Sequence, residues 1–258
     1  MSRFEWLEVS DKKKEEIDTN KNEEVYDEDY YMNLASEKFD EGNYELALRY
    51  YSRVLNLNIN SQGAWLGQLL CLIDLGEYNE SITWADKALE LFAGDPEITA
   101  VKALAFGRLG DFDKAAAFSD ASLKYAKQSY FVWWVRGDIF IISNPNNSEF
   151  CFRKALELAH NDASLFLRIG KTFLSMDKPI KAKEFLFKAK TANQDNSLIW
   201  YWLGIAYQSL GEFDEAEKCL QRALELKPSN DEFQAALNKI RHTSATTKLY
   251  FKIKKLFQ

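Results

Sequence analysis

The chain has 258 residues, 47% of them hydrophobic, with a formal charge of −6 at pH 7 and an isoelectric point near 5.2. These values lie within the range of soluble proteins, and the acidic balance argues against a nucleic-acid partner, which a basic stripe would mark. No apolar run approaches the length of a membrane span and the opening residues lack the apolar core of a signal peptide, so the expected location is cytoplasmic.

Residues 1–27 form a compositional unit of their own. Through Asp29, eleven acidic residues face five basic ones, and that composition predicts disorder. Phe4, Trp6 and Leu7 interrupt it. They read either as an apolar cluster packed loosely on the block that begins at residue 28 or as a short linear motif that docks on a partner or folds back into this protein's own groove.

From residue 28 the chain is periodic. Gly42, Gly76 and Gly110 are each 34 residues apart, and Tyr44, Tyr78 and Phe112 follow two residues after each. Around them, apolar residues recur at helical spacing on either side of the glycine, which predicts two helices joined by a turn. A block at 28–61 opens with Tyr31, Leu34 and Ala35. A block at 62–95 carries Trp65, with Leu69 where other blocks have a small residue. A block at 96–128 opens on Pro96, which suits a first helical turn, and has Thr99 where an aromatic is usual.

The block at 129–162 departs most. Trp133, Gly137 and Phe140 make its first helix, and Phe152, Ala155 and Leu156 its second. Ser143-Asn144-Pro145-Asn146-Asn147 stands in place of the glycine turn, with one residue deleted. The block at 163–196 fits through Phe166, Gly170, Phe173, Ala182 and Ala189.

The block at 197–230 is the clearest. Trp200, Leu203, Gly204 and Tyr207 share one helical face, Gly211-Glu212-Phe213 makes the turn, and Ala216, Ala223 and Pro228 follow. Together these residues resemble the tetratricopeptide repeat, a helix hairpin of about 34 residues. The resemblance covers 28–230 as six repeats. It implies an all-α fold, a right-handed solenoid in which no hairpin buries both faces without neighbours. The segment 231–241 then reads as a capping helix. The basic, aromatic tail 242–258 reads as a second capping element, with a partner motif or a weak anchor to anionic lipid as alternatives.

The resemblance also implies a concave groove lined by first-helix side chains. Mapped onto this chain, these are Met32 with Ser36, Leu66 with Leu70 and Ile73, Ala100 with Leu104 and Arg108, Trp134 with Asp138, Leu167 with Lys171, and Tyr201 with Ile205. The set is largely apolar. Family members that hold acidic chaperone tails use a lysine, asparagine and arginine clamp. Here Met32, Ser36, Glu97 and Val101 occupy four of its positions, so that specificity is not expected. The expected role is a protein-interaction scaffold or adaptor binding a peptide or helix of a partner protein, with Trp134 and Tyr201 as aromatic anchors. The alternative is a structural subunit that makes contacts through its termini and convex face.

Nothing in the sequence suggests an enzyme or a cofactor. Cys71, Cys151 and Cys219 are scattered without a CxxC pair, His160 and His242 are isolated, and no metal-ligand cluster or set of converging catalytic residues is visible.

Overall fold

The computed structural model describes residues 27–125, 129–160, 162–244, 246, 247, 251 and 253. Among these the structure is helical throughout, an all-α repeat solenoid with thirteen helices and no strand. Two compact units divide the chain after Tyr125.

The first unit contains α1 (Glu28–Asp40), α2 (Tyr44–Leu57), α3 (Gln62–Asp74), α4 (Tyr78–Leu91), α5 (Pro96–Arg108) and α6 (Phe112–Tyr125). The second contains α7 (Tyr130–Phe140), α8 (Pro145–Leu158), α9 (Ala163–Ser175), α10 (Pro179–Ala192), α11 (Ser197–Ser209), α12 (Phe213–Leu226) and α13 (Asp231–Arg241). Consecutive helices pair as hairpins, α1 with α2 through α11 with α12.

Local chemistry sets the helix starts. Asp27, Asn43, Asp95, Ser129, Asn144, Asp162, Asn196 and Asn230 each cap a helix by accepting a hydrogen bond from a backbone N–H two or three residues on. Each such bond satisfies a donor that has no partner within its helix, and is worth about 1 kcal/mol. Gly211 ends α11 with φ +70°, the left-handed conformation in which a side chain is disfavoured. In the fifth hairpin Asp177 takes the same role at φ +51°.

The fourth hairpin absorbs its missing residue differently from the sequence expectation. Its turn is 141–144. Pro145, Asn146 and Asn147 belong to the first turn of α8, where Pro145 loses no hydrogen bond by lacking an N–H. The shortening falls in the first helix, since α7 has 11 residues where α9 and α11 have 13.

Within every hairpin but the second, one small residue of the first helix lets the partner helix approach. A Cβ on Gly137 would lie 2.5 Å from the Phe152 ring, so the ring fills the space that the missing side chain leaves. Where the third helix carries Leu69 at this position, α3 and α4 pack less closely than the helices of the other hairpins. The Ser81 hydroxyl bridges that junction by donating to the Leu69 carbonyl at 3.4 Å.

The core of the first unit centres on Leu48, Leu69, Leu72, Ile98 and Leu104, and that of the second on Leu165, Ile169, Leu186, Ile199 and Leu203. Burying each such side chain is worth about 1.5–3 kcal/mol. In the second unit α13 lies on α12 and buries Phe233, Leu237 and Ile240, while Glu232, Gln234, Lys239 and Arg241 stay exposed. The Arg241 guanidinium pairs with Glu217 at 2.8 Å. Beyond α13, the Phe251 ring meets the Phe213 ring edge-on at 5.6 Å and covers Gly211.

Candidate interaction surface

Helices alternate along each unit, so every second helix is the first of its hairpin. These first helices also touch one another, α1 with α3 and α3 with α5 in the first unit, α7 with α9 and α9 with α11 in the second. The side chains expected to face a groove lie on these first helices.

In the first unit Met32 is half-buried on α1 and leans on the start of α3, where its Cε lies 3.5 Å from the position a Cβ on Gly63 would occupy. Leu66 is half-buried, and Leu70 and Ile73 are buried along the same helix. Ala100 and Leu104 are buried in α5, and Arg108 is half-buried in its last turn. This seam is aliphatic, with its one guanidinium near the helix end.

The second unit has a more polar seam. Trp134 and Asp138 are buried on α7. The Arg168 guanidinium lies 5.1 Å from the Trp134 ring centroid, within cation–π range. The Thr172 hydroxyl donates to the buried Asp138 carboxylate. One turn of α9 therefore contacts both predicted residues of α7. On the other side of α9, the half-buried Lys171 ammonium lies 5.3 Å from the Trp202 ring. Leu167 is buried on α9 and Ile205 is half-buried on α11.

Tyr201 closes the seam toward α13. Its hydroxyl donates to Glu232 at 2.8 Å, and its ring stacks on Phe233 with centroids 4.8 Å apart and planes 22° from parallel. Burial pushes the Tyr201 hydroxyl pKa well above its ordinary value, and the neighbouring Glu232 carboxylate adds to the rise. Trp134 has 4% of its surface exposed and Tyr201 7%. The two expected anchors thus spend most of their surface on neighbouring helices, and the half-buried Met32, Leu66, Arg168, Lys171, Trp202 and Ile205 hold what remains accessible along the seams.

Sequence reasoning passed over Arg168 and Trp202. They sit one residue beyond the expected groove positions and are 34 apart, a repeat spacing that would have flagged them. Phe4, Trp6 and Leu7 lie outside the described residues. Among the described residues, no group of three or more histidines, cysteines or carboxylates could hold a metal, and no helix is long and apolar enough to cross a membrane.

Two family models described as tetratricopeptide repeat match this chain, over residues 32–96 and 197–230. The human protein O-mannosyl-transferase TMTC3 is 36% identical over 80 residues, which is 31% of this chain and 9% of that protein. Human cilia- and flagella-associated protein 70 is 30% identical over 132 residues, 49% of this chain and 12% of that protein. The chain therefore spans about a tenth of the length of these curated relatives.

Among solved structures, a tetratricopeptide repeat protein from Parabacteroides merdae superposes with a TM-score of 0.56 at 16% identity, covering 83% of this chain and 84% of that one. A thermophilic protein of the same kind from Thermus thermophilus gives 0.51 at 18% identity, covering 84% and 100%. A chain of the APC/C hetero-tetramer Cut9–Hcn1 gives 0.52 at 15% identity, covering 83% and 43%. At such identities the likeness concerns the fold.

Proposed function

Because the chain is a tetratricopeptide-repeat protein, with a fold that serves protein–protein interaction in general, we propose that it is a non-catalytic adaptor holding a peptide segment or helix of a partner protein on its first-helix faces. One observation carries the reading: within each unit the first helices pack directly on one another and leave a row of half-buried side chains along their seams. A shallow, largely apolar row of this kind suits an apolar or aromatic segment. The seam polar groups are engaged in holding the helices together, Asp138 with Thr172 and Tyr201 with Glu232, which fits binding better than chemistry. The acidic balance and the three buried cysteines agree with a cytoplasmic setting.

A second reading is favoured by exposed apolar side chains elsewhere. Ile142, Phe150, Ile180 and Phe187 are all exposed on or beside second helices. A structural subunit would make its contacts there and at the termini.

Site-specific photo-crosslinking in cells separates the two. A crosslinking amino acid in place of Leu66 or Trp202 should capture a defined partner that the same group in place of Ile180 or Phe187 does not. Capture only from Ile180 and Phe187 would replace the adaptor reading with the subunit reading.

A further inference from the structure

Four of the six hairpins turn through glycine, a polar or acidic residue, and an aromatic ring, and two of these tips are in very different states. At the sixth, Phe251 from the tail covers Gly211 and packs edge-on against Phe213, which is left 9% exposed. At the third, no atom of the described residues lies within 4 Å of where a Cβ on Gly110 would stand, and the equivalent ring, Phe112, is 47% exposed. Leu109 beside it is 44% exposed, whereas the equivalent Leu210 is half-buried. Both tips share the backbone that forms the seat, with Gly110 at φ +81° and Gly211 at φ +70°.

The charges match as well. The occupied tip reads Gly211-Glu212-Phe213-Asp214-Glu215, and the segment that supplies its ring reads Lys248-Leu249-Tyr250-Phe251-Lys252. Glu212 is already paired with Lys183 at 3.2 Å, yet the tip stays net acidic. The open tip reads Gly110-Asp111-Phe112-Asp113-Lys114, in which Lys114 pairs with Asp111 at 2.8 Å and Asp113 adds a further negative charge. The acidic segment 1–27, which also carries aromatic residues, has the wrong sign for this place.

We infer that the α5–α6 tip, built from Leu109, Gly110 and Phe112, is a docking site for a phenylalanine carried on a lysine-rich segment of a partner protein. The bare glycine gives the incoming ring a flat seat, Phe112 meets it edge-on, and the neighbouring carboxylates attract the flanking lysines. This inference is independent of the first-helix face, because it concerns hairpin tips alone.

A fluorescein-labelled peptide of residues 242–258 is the probe, titrated with the full chain and followed by fluorescence anisotropy. Saturable binding is expected. It should weaken about tenfold with Phe112→Ala in the protein or Phe251→Ala in the peptide, as expected for losing one buried ring pair. Asp113→Lys, which leaves Asp111 accepting from the Lys114 backbone N–H at the start of α6, should weaken it too, and so should added salt. Absence of saturable binding would overturn the inference. So would binding indifferent to Phe112→Ala, which would mean that the peptide only exchanges with the chain's own tail at Gly211. Concentration-dependent self-association lost in Phe112→Ala would overturn the choice of a partner protein in favour of a second copy.

Discussion

Arg168 covers the ring of Trp134 from the neighbouring first helix, with its guanidinium carbon 5.1 Å from the ring centroid. The indole N–H beneath is buried and has no hydrogen-bond partner among the described residues. Trp134 therefore works through its area and its π-face, while its polar atom contributes nothing and costs some desolvation.

That relationship sets the outcome of two substitutions. Trp134→Ala should destabilise the second unit by about 3–5 kcal/mol, the range for removing a large buried aromatic. Trp134→Phe should cost less than half as much, because it retains a ring under Arg168 and removes an unpartnered donor. Urea denaturation followed by circular dichroism measures both. Equal losses for the two variants would show that the indole N–H has a partner after all.

The hairpin tips separate conformational strain from side-chain contact. Gly110→Ala should cost about 1–2 kcal/mol, the penalty for a side chain at positive φ. Gly211→Ala meets the same penalty and in addition must expel the Phe251 ring from its seat. Its cost should exceed that of Gly110→Ala, and Phe251→Ala made beforehand should bring the two back together. Thermal melts of the wild type and these four variants, with Gly211 and Phe251 read as a double-mutant cycle, decide this.

Buried acids should make stability fall at alkaline pH, and Cys151, whose thiol burial also raises, adds to Cys219 and Tyr201. Burial pushes the Cys219 thiol from its ordinary 9.0 up to about 11, and the Tyr201 hydroxyl is raised from 10.0 by burial and by Glu232. In each case the folded chain holds its proton where the unfolded chain has lost it. The stabilisation is complete below the unfolded pKa and declines as pH rises beyond it. The urea midpoint should be flat near neutrality and begin to drop above about pH 9. Cys219→Ala should make the part between pH 9 and about 11 less steep, and Tyr201→Phe the part above 10. A midpoint indifferent to both variants would show that the thiol and the hydroxyl keep their ordinary pKa values.

Much of the architecture was legible in the residues alone. Helical spacing of apolar side chains, capping residues and turn glycines act over a few positions, so the hairpins and the 34-residue period from Gly42 to Gly110 could be read directly. The same spacing assigned Met32, Leu66, Trp134 and Tyr201 to the first helices. A variant turn was harder: Pro145 stands as readily in a loop as at the start of a helix, and only the packed hairpin put it in α8.

What the sequence determined by itself is therefore the repeat, its helices and the face on which each side chain starts, because these depend on neighbours within a turn or two. What only the tertiary structure decided is how much of each side chain stays open. Trp134 is covered by Arg168, Tyr201 by Phe233 and Glu232, and Phe213 by Phe251, each partner lying more than thirty residues away along the chain. Such burial depends on which helix arrives next to a given face, and the spacing of apolar residues within one helix carries no record of that.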